Sequence, residues 1–214
     1  MKINNEILNN FLDNNFLDAK CELKYSNNFQ LLIAVMLSAQ TTDKSVNKIT
    51  PILFDKYKTI NDLANARLED IEEIIKPIGI YKNKAKNIKE ISSKIINNFN
   101  GDVPNTLEEL TTLPGVGRKT ASVVLIEGFN KIAFPVDTHI QRVAKRLGIA
   151  NSNDDAYQVE MKLRKLIDES KLKKAHHQLI FMGRYMCKAI KPNCIECPLK
   201  QYCVYNKNLL TISK

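Results

Sequence analysis

The chain has 214 residues, 44% hydrophobic and 26% charged, enough apolar material for one large domain or two small ones. Lysine and arginine total 32 against 23 acidic residues, and the resulting +9 fits a solvated basic surface or a polyanionic partner, since cations that neutralise phosphates release condensed counterions; charge does not choose between DNA, RNA and an anionic membrane. No stretch approaches the roughly 20 apolar residues of a membrane span, and the start lacks a signal-peptide core, so a soluble cytoplasmic or nucleoid protein is expected, whose clustered cysteines hold metal rather than disulfides.

In chain order, Leu31 to Leu37 is the longest apolar run and predicts a buried helix segment. Leu68, Ile71, Ile74 and Ile75 fit a short helix ending before Pro77-Ile78-Gly79. Ile88, Ile91, Ile95, Ile96 and Phe99 mark one face of a longer helix. Thr106 and Glu109 have capping-box spacing, which starts another helix after Pro104. Ile140, Val143, Ala144 and Leu147 repeat the helical period, as do Val159, Leu163, Leu166 and Ile167. No segment alternates as a strand does, and the fold class is all-α. Residues 74–85 and 110–121 share one plan: a helix, a turn with proline and glycine, and a helix opening with lysine.

The second of these turns, Leu113-Pro114-Gly115-Val116-Gly117-Arg118-Lys119, carries the first chemical signal. Proline stops one helix, and Gly115 and Gly117 permit positive φ or a close backbone approach. The free amides and positive end of the next helix then face the turn, a seat for phosphate that reads no base sequence. Lys119 falls in the first turn of that helix. It can contact phosphate, or act as a nucleophile if its amine is uncharged often enough, since only about one free lysine in a thousand is neutral at pH 7.4. Asp137, between Pro135 and an apolar-periodic run, fits a helix N-cap better than a catalytic carboxylate when taken alone, and both readings stay open. His139, Arg142, Lys145 and Arg146 flank that helix's apolar face, as solvated charges or as contacts to a DNA backbone. His176 and His177 read as structural or surface residues.

Cys187, Cys194, Cys197 and Cys203 are separated by six, two and five residues. Four thiolates in so short a loop can hold a cubane cluster or a tetrahedral zinc, and spacing alone leaves both open. Lys188 and Lys191 in the same loop suit phosphate. Cys21 stands apart as an ordinary thiol.

Taken together, LLIAVMLSAQTTD (31–43), IGIYKNKA (78–85), LPGVGRKTA (113–121), VDTHI (136–140), GRYMC (183–187) and the cysteine pattern resemble the endonuclease III family of DNA glycosylase/lyases. The resemblance runs from about Phe29 to Cys203. It implies two helical domains flanking a DNA-binding cleft. One, at 22–131, is a six-helix barrel with a helix-hairpin-helix near 106–128; the other, 1–21 plus 132–214, holds a [4Fe–4S] cluster on the loop 187–203. By position Lys119 matches the nucleophile and Asp137 the catalytic carboxylate, with Cys187, Cys194, Cys197 and Cys203 as cluster ligands. Gln40 and Ile80 match residues that fill the gap left by an extruded nucleotide. The family usually has leucine at the Ile80 position, and the approach Ile132-Ala133-Phe134-Pro135 is also unusual. DNA contacts are expected from Gln40, Ile80, Gly115, Gly117, Arg118, His139 and Lys191.

The implied activity is base-excision repair: removal of an oxidised pyrimidine by amine attack at C1′, then β-elimination through a Lys119 Schiff base. The expected partner is double-stranded DNA with damaged bases or abasic sites, bound by a monomer without membrane contact. The alternatives are a monofunctional adenine-mismatch glycosylase, opposed by the lysine at 119, and a non-catalytic metal-stabilised DNA-binding protein, opposed by the pairing of Lys119 with Asp137.

Overall fold

The computed structural model describes residues 2–212, and every regular element among them is helical. Short polar residues set the starts. Asn4, Asn27 and Thr42 cap α1 (Asn5–Asn15), α2 (Asn28–Leu37) and α3 (Asp43–Lys56), each side chain accepting a backbone N–H that has no helical partner. Thr59 and Asp62 form a reciprocal capping box on α4 (Ile60–Asn65). There follow α5 (Leu68–Ile75), α6 (Tyr81–Phe99), α7 (Leu107–Thr111) with Thr106 as its N-cap, and α8 (Arg118–Gly128). Asp137 and Asp155 cap α9 (Thr138–Leu147) and α10 (Ala156–Leu166). Then α11 (Leu172–Phe181) runs into a π-helical turn, Met182–Met186, and α12 (Val204–Ile212) closes the described chain.

The chain divides into two compact units, one of residues 22–131 and one of residues up to 21 with those from 132 onward. In the central unit α2 is buried all round: Leu31, Leu32, Ile33, Ala34 and Leu37 are wholly inaccessible. That is why its sequence shows an apolar run and no stripe. It packs against α8 and α3, while α6 turns Ala85, Ile88, Ile91 and Ile95 toward α4 and α5. Each such side chain contributes about 1.5–3 kcal/mol on leaving water.

In the terminal unit α1 joins the far end of the chain through its own apolar face. Leu8, Phe11 and Leu12 enter a core with Phe134, Ile140, Val143, Leu147, Val159, Leu163 and Leu179. Asp13 bridges the seam at its exposed edge, accepting from Lys174 Nζ at 2.7 Å and Gln178 Nε2 at 3.0 Å. His176 and His177 are both buried, their rings edge-to-face at 4.9 Å, with His176 also edge-on to Phe134 at 5.7 Å. They are structural residues of this core rather than surface ones.

Candidate functional site

The two turns that look alike in sequence both reverse the chain between helices, but they put the left-handed residue at different places. In 110–121 it is Gly115, φ 72°, where a Cβ would collide with the Asn87 side chain of α6. Glycine is required there twice over, for its φ and for its lack of a side chain. Gly117 has an ordinary extended φ of −84°, is the N-cap of α8, and has open space where its Cβ would be. The backbone amides of α8 are thus open to an anion. Lys119, the second residue of α8, is exposed, and its Nζ has no ion pair or hydrogen bond among the described residues.

In 74–85 the left-handed residue is Ile80, φ 59°, with 52% of its surface exposed. A β-branched side chain in this region is a true outlier. Gln40, on the turn between α2 and α3, is exposed and left-handed too, φ 56°. Sparse backbone conformations of this kind cluster at ligand-binding sites. Lys191, exposed at φ 50°, is a third.

Asp137 is a cap, as its position after Pro135 suggests: its Oδ1 accepts from Ile140 N at 2.8 Å. Its other oxygen has no partner among the described residues, so the capping role leaves one carboxylate lone-pair set available. His139, half-buried on the same helix, meets Arg142 Nη2 through Nδ1 at 3.2 Å.

All four clustered cysteines line one small cavity, partly open to solvent, with Leu147, Met182, Met186 and Tyr205 among its other walls. Among the described residues no three potential ligands converge as closely as a single metal ion requires. The four cysteines line one shared space, and a set of four thiols is a donor set that suits an iron–sulfur cluster. The thiol chemistry agrees. Burial pushes the Cys194 and Cys197 thiols above their ordinary range, and the neighbouring cysteines push the same way. Four thiolates packed here need a cationic centre to neutralise them.

The HhH-GPD superfamily model of base excision DNA repair proteins matches residues 33–169, and the iron–sulfur binding domain of endonuclease III matches residues 187–203. Endonuclease III of Bacillus subtilis (strain 168) is 50% identical over 185 residues, 86% of this chain and 84% of that protein. The chain belongs to the endonuclease III family. The Escherichia coli (strain K12) endonuclease III is 43% identical over 188 residues, 88% of this chain and 89% of that one. A solved structure of a trapped endonuclease III–DNA covalent intermediate superposes with a TM-score of 0.90 at 47% identity, covering 95% of each chain. The protein is a base excision repair glycosylase and lyase that acts on DNA and carries a [4Fe–4S] cluster.

In this chain the basic face of α9 has a role that its sequence leaves open. Arg142 donates to the carbonyls of Gly183 at 2.8 Å and Cys187 at 3.1 Å. Arg146 donates to Lys188 O at 2.6 Å, Ala189 O at 3.1 Å and Cys187 Sγ at 3.5 Å, and stacks over Tyr205 at 4.3 Å. Its own carbonyl accepts from the Cys203 thiol at 3.1 Å. These two arginines are fasteners of the cluster loop, not solvated charges. The π turn delivers Cys187 to them: Cys187 N donates to Met182 O at 2.7 Å, and Gly183 lies flush against His139, where a Cβ would come within 2.7 Å of the His139 Cβ. A third cation of unexpected placement is Lys84, buried in the central unit.

Proposed function

We propose that Lys119 is the nucleophile of this glycosylase/lyase and Asp137 its working carboxylate, with oxidised pyrimidine nucleotides in duplex DNA as substrate. The observation that carries the reading is the unpartnered Lys119 amine at the open start of α8. The neutral amine bonds to C1′ as the bond to the base breaks, and the base departs with a proton. Asp137 accepts the proton that the amine gives up, or stabilises positive charge developing on the sugar. Opening of the sugar ring leaves an imine between Lys119 and C1′. Loss of a C2′ proton then expels the 3′ phosphate, which nicks the strand. Gly115, Gly117, Arg118, His139 and Lys191 hold the phosphate backbone, and Gln40 and Ile80 occupy the gap left by the extruded nucleotide.

Cys187, Cys194, Cys197 and Cys203 hold the cluster, which when bound cross-links the basic loop and gives it a fixed shape. We assign residues 22–131 to a barrel domain bearing the hairpin and the remainder to a cluster domain. The protein works as a monomer on the nucleoid. Borohydride added during turnover on an oxidised-pyrimidine duplex reduces the imine to a stable amine, so a covalent protein–DNA adduct should accumulate. Lys119→Ala should abolish it. An adduct that persists in that variant would move the nucleophile elsewhere, and excision without any adduct or nick in the unaltered protein would make it monofunctional.

A further inference from the structure

Lysine is almost never fully buried without a charged partner, and Lys84 is only 5% exposed. Its Nζ donates to three neutral oxygens: Leu37 O at 2.9 Å, Ala39 O at 2.8 Å and Thr41 Oγ1 at 2.9 Å. An ammonium has three donors, and all three are used. Leu37 ends α2, so the charge also sits at the negative end of a helix. Thr41 Oγ1, accepting from Lys84, donates in turn to Ala39 O at 3.4 Å. The residue between the two gripped positions is Gln40, the exposed left-handed residue of the loop.

The other end of Lys84 is tied to a second such residue. Its backbone N–H donates to Ile80 O at 3.1 Å, closing the first turn of α6 on the strained Ile80. One turn further on, Asn87 fills the space that Gly115 leaves open. Residues 80, 84 and 87 stand four and three apart, on one face of α6. A buried apolar side chain would fill the space of Lys84 without the cost of taking an ammonium out of water, a cost visible in the lowering of its pKa by burial. The charge sits where it holds the Gln40 loop against α6, the helix whose first turn closes on Ile80.

We propose that Lys84 is a positioning residue that locks the Gln40 loop and the Ile80 turn into one edge, so that a single face of α6 sets the register of the groups filling the gap in extruded DNA. This rests on the reading of Gln40 and Ile80 given above. Lys84 touches no substrate, so its loss should impair extrusion and spare the chemistry of an abasic site that is already unpaired.

The test uses the full-length, cluster-loaded protein under single-turnover conditions. One substrate is an oxidised-pyrimidine duplex with 2-aminopurine opposite the lesion; the other is an abasic site in a single strand. Lys84→Met should slow duplex excision about 10- to 100-fold, the scale of a small misplacement, and blunt the 2-aminopurine fluorescence rise. Single-strand nicking should change less than about two-fold. Lys84→Gln, which keeps two donors, should fold where the apolar variant does not and lose about three- to ten-fold on the duplex alone. Combining Lys84→Met with Gln40→Ala should be no worse than the slower single variant. Equal losses on both substrates, or an unchanged duplex rate, would overturn the proposal. If Gln40→Ala and Ile80→Gly leave duplex excision unchanged, the gap-filling reading fails and this proposal with it. If they slow it while Lys84→Met does not, only the role of Lys84 fails.

Discussion

The two units of this protein are held together by different means. In the central unit the ordering is apolar and continuous: α2 has no exposed face, and α6 and α8 bury the stripes that face it or its neighbours. The terminal unit has a comparable core, which is dense as far as Met182 and reached again by Leu199 and Cys203. Beyond Cys187 the chain has little regular structure until α12, and Ile190 and Ile195 are more than 80% exposed. Besides Leu199 and Cys203, what orders that segment is a set of side-chain bonds from α9 to its carbonyls, and four thiols around one space. The central unit therefore rests mainly on apolar burial, whereas the segment after Cys187 has few apolar anchors and leans on its bonds and thiols. The basic residues expected to meet DNA there stand on that less apolar part.

Removing the cluster breaks this comparison most severely. Cys197→Ser, or chelation of iron from the unaltered protein, should cost the terminal unit roughly 3 kcal/mol or more, lowering the melting transition of the whole chain by about 6–12 °C. Hydrogen exchange read peptide by peptide should rise across residues 132–208 and stay slow in α2 and the buried turns of α6. Equal loosening of both units would mean that their orders are not independent. Cys21→Ser, away from the cavity, is the matched control and should leave both unchanged.

A smaller effect is expected from Arg146→Met, which keeps the cluster ligands and removes their fastener. Three donated bonds and the stack on Tyr205 disappear, a loss of about 2 kcal/mol. The loop 187–191 should exchange faster and iron should leave at a lower temperature, while the central unit is unaffected. Arg146→Lys should recover little, since one ammonium cannot span two carbonyls as a guanidinium fork does. Iron retention equal to that of the unaltered protein would place the ordering of the loop in the cysteines alone.

How legible these features are in the sequence follows from their physics. The helices are readable because the period of 3.6 is written in Ile88, Ile91 and Ile95 or Ile140, Val143 and Leu147, and the cysteines because their spacing is local. Arg142 and Arg146 show as charges beside an apolar face, but their acceptors are carbonyls some 40 residues away, and carbonyls carry no sequence signature. Lys84 left a fainter mark. It lies four residues before Ile88 on the apolar face of α6, where a solvated lysine does not belong, and that conflict of residue with register was the available signal. The strain at Gln40 and Ile80 was out of reach, since neither is a residue type that invites positive φ.

The smallest effect sharpens the comparison at its other boundary, where α1 joins the terminal unit. If that junction resembles the central unit, its strength lies in Leu8, Phe11 and Leu12 and not in the ion pair beside them. Lys174 foremost, then Gln178, holds the Asp13 carboxyl below its ordinary pKa of 3.8. A depressed carboxylate contributes stability that is full above the unfolded pKa and fades as pH falls through the folded one. With the Asp13 side chain 40% and Lys174 43% exposed, solvent screens most of the attraction, so Asp13→Asn should cost only about 0.5 kcal/mol at pH 7, or 1–2 °C. The deficit should shrink in about 1 M salt and vanish once both states are acidified below the folded pKa. Phe11→Ala should instead cost roughly 3 kcal/mol at either pH. A larger cost for the carboxylate than for the ring would make the junction ionic, and the terminal unit would then depend on charge at both of its ends.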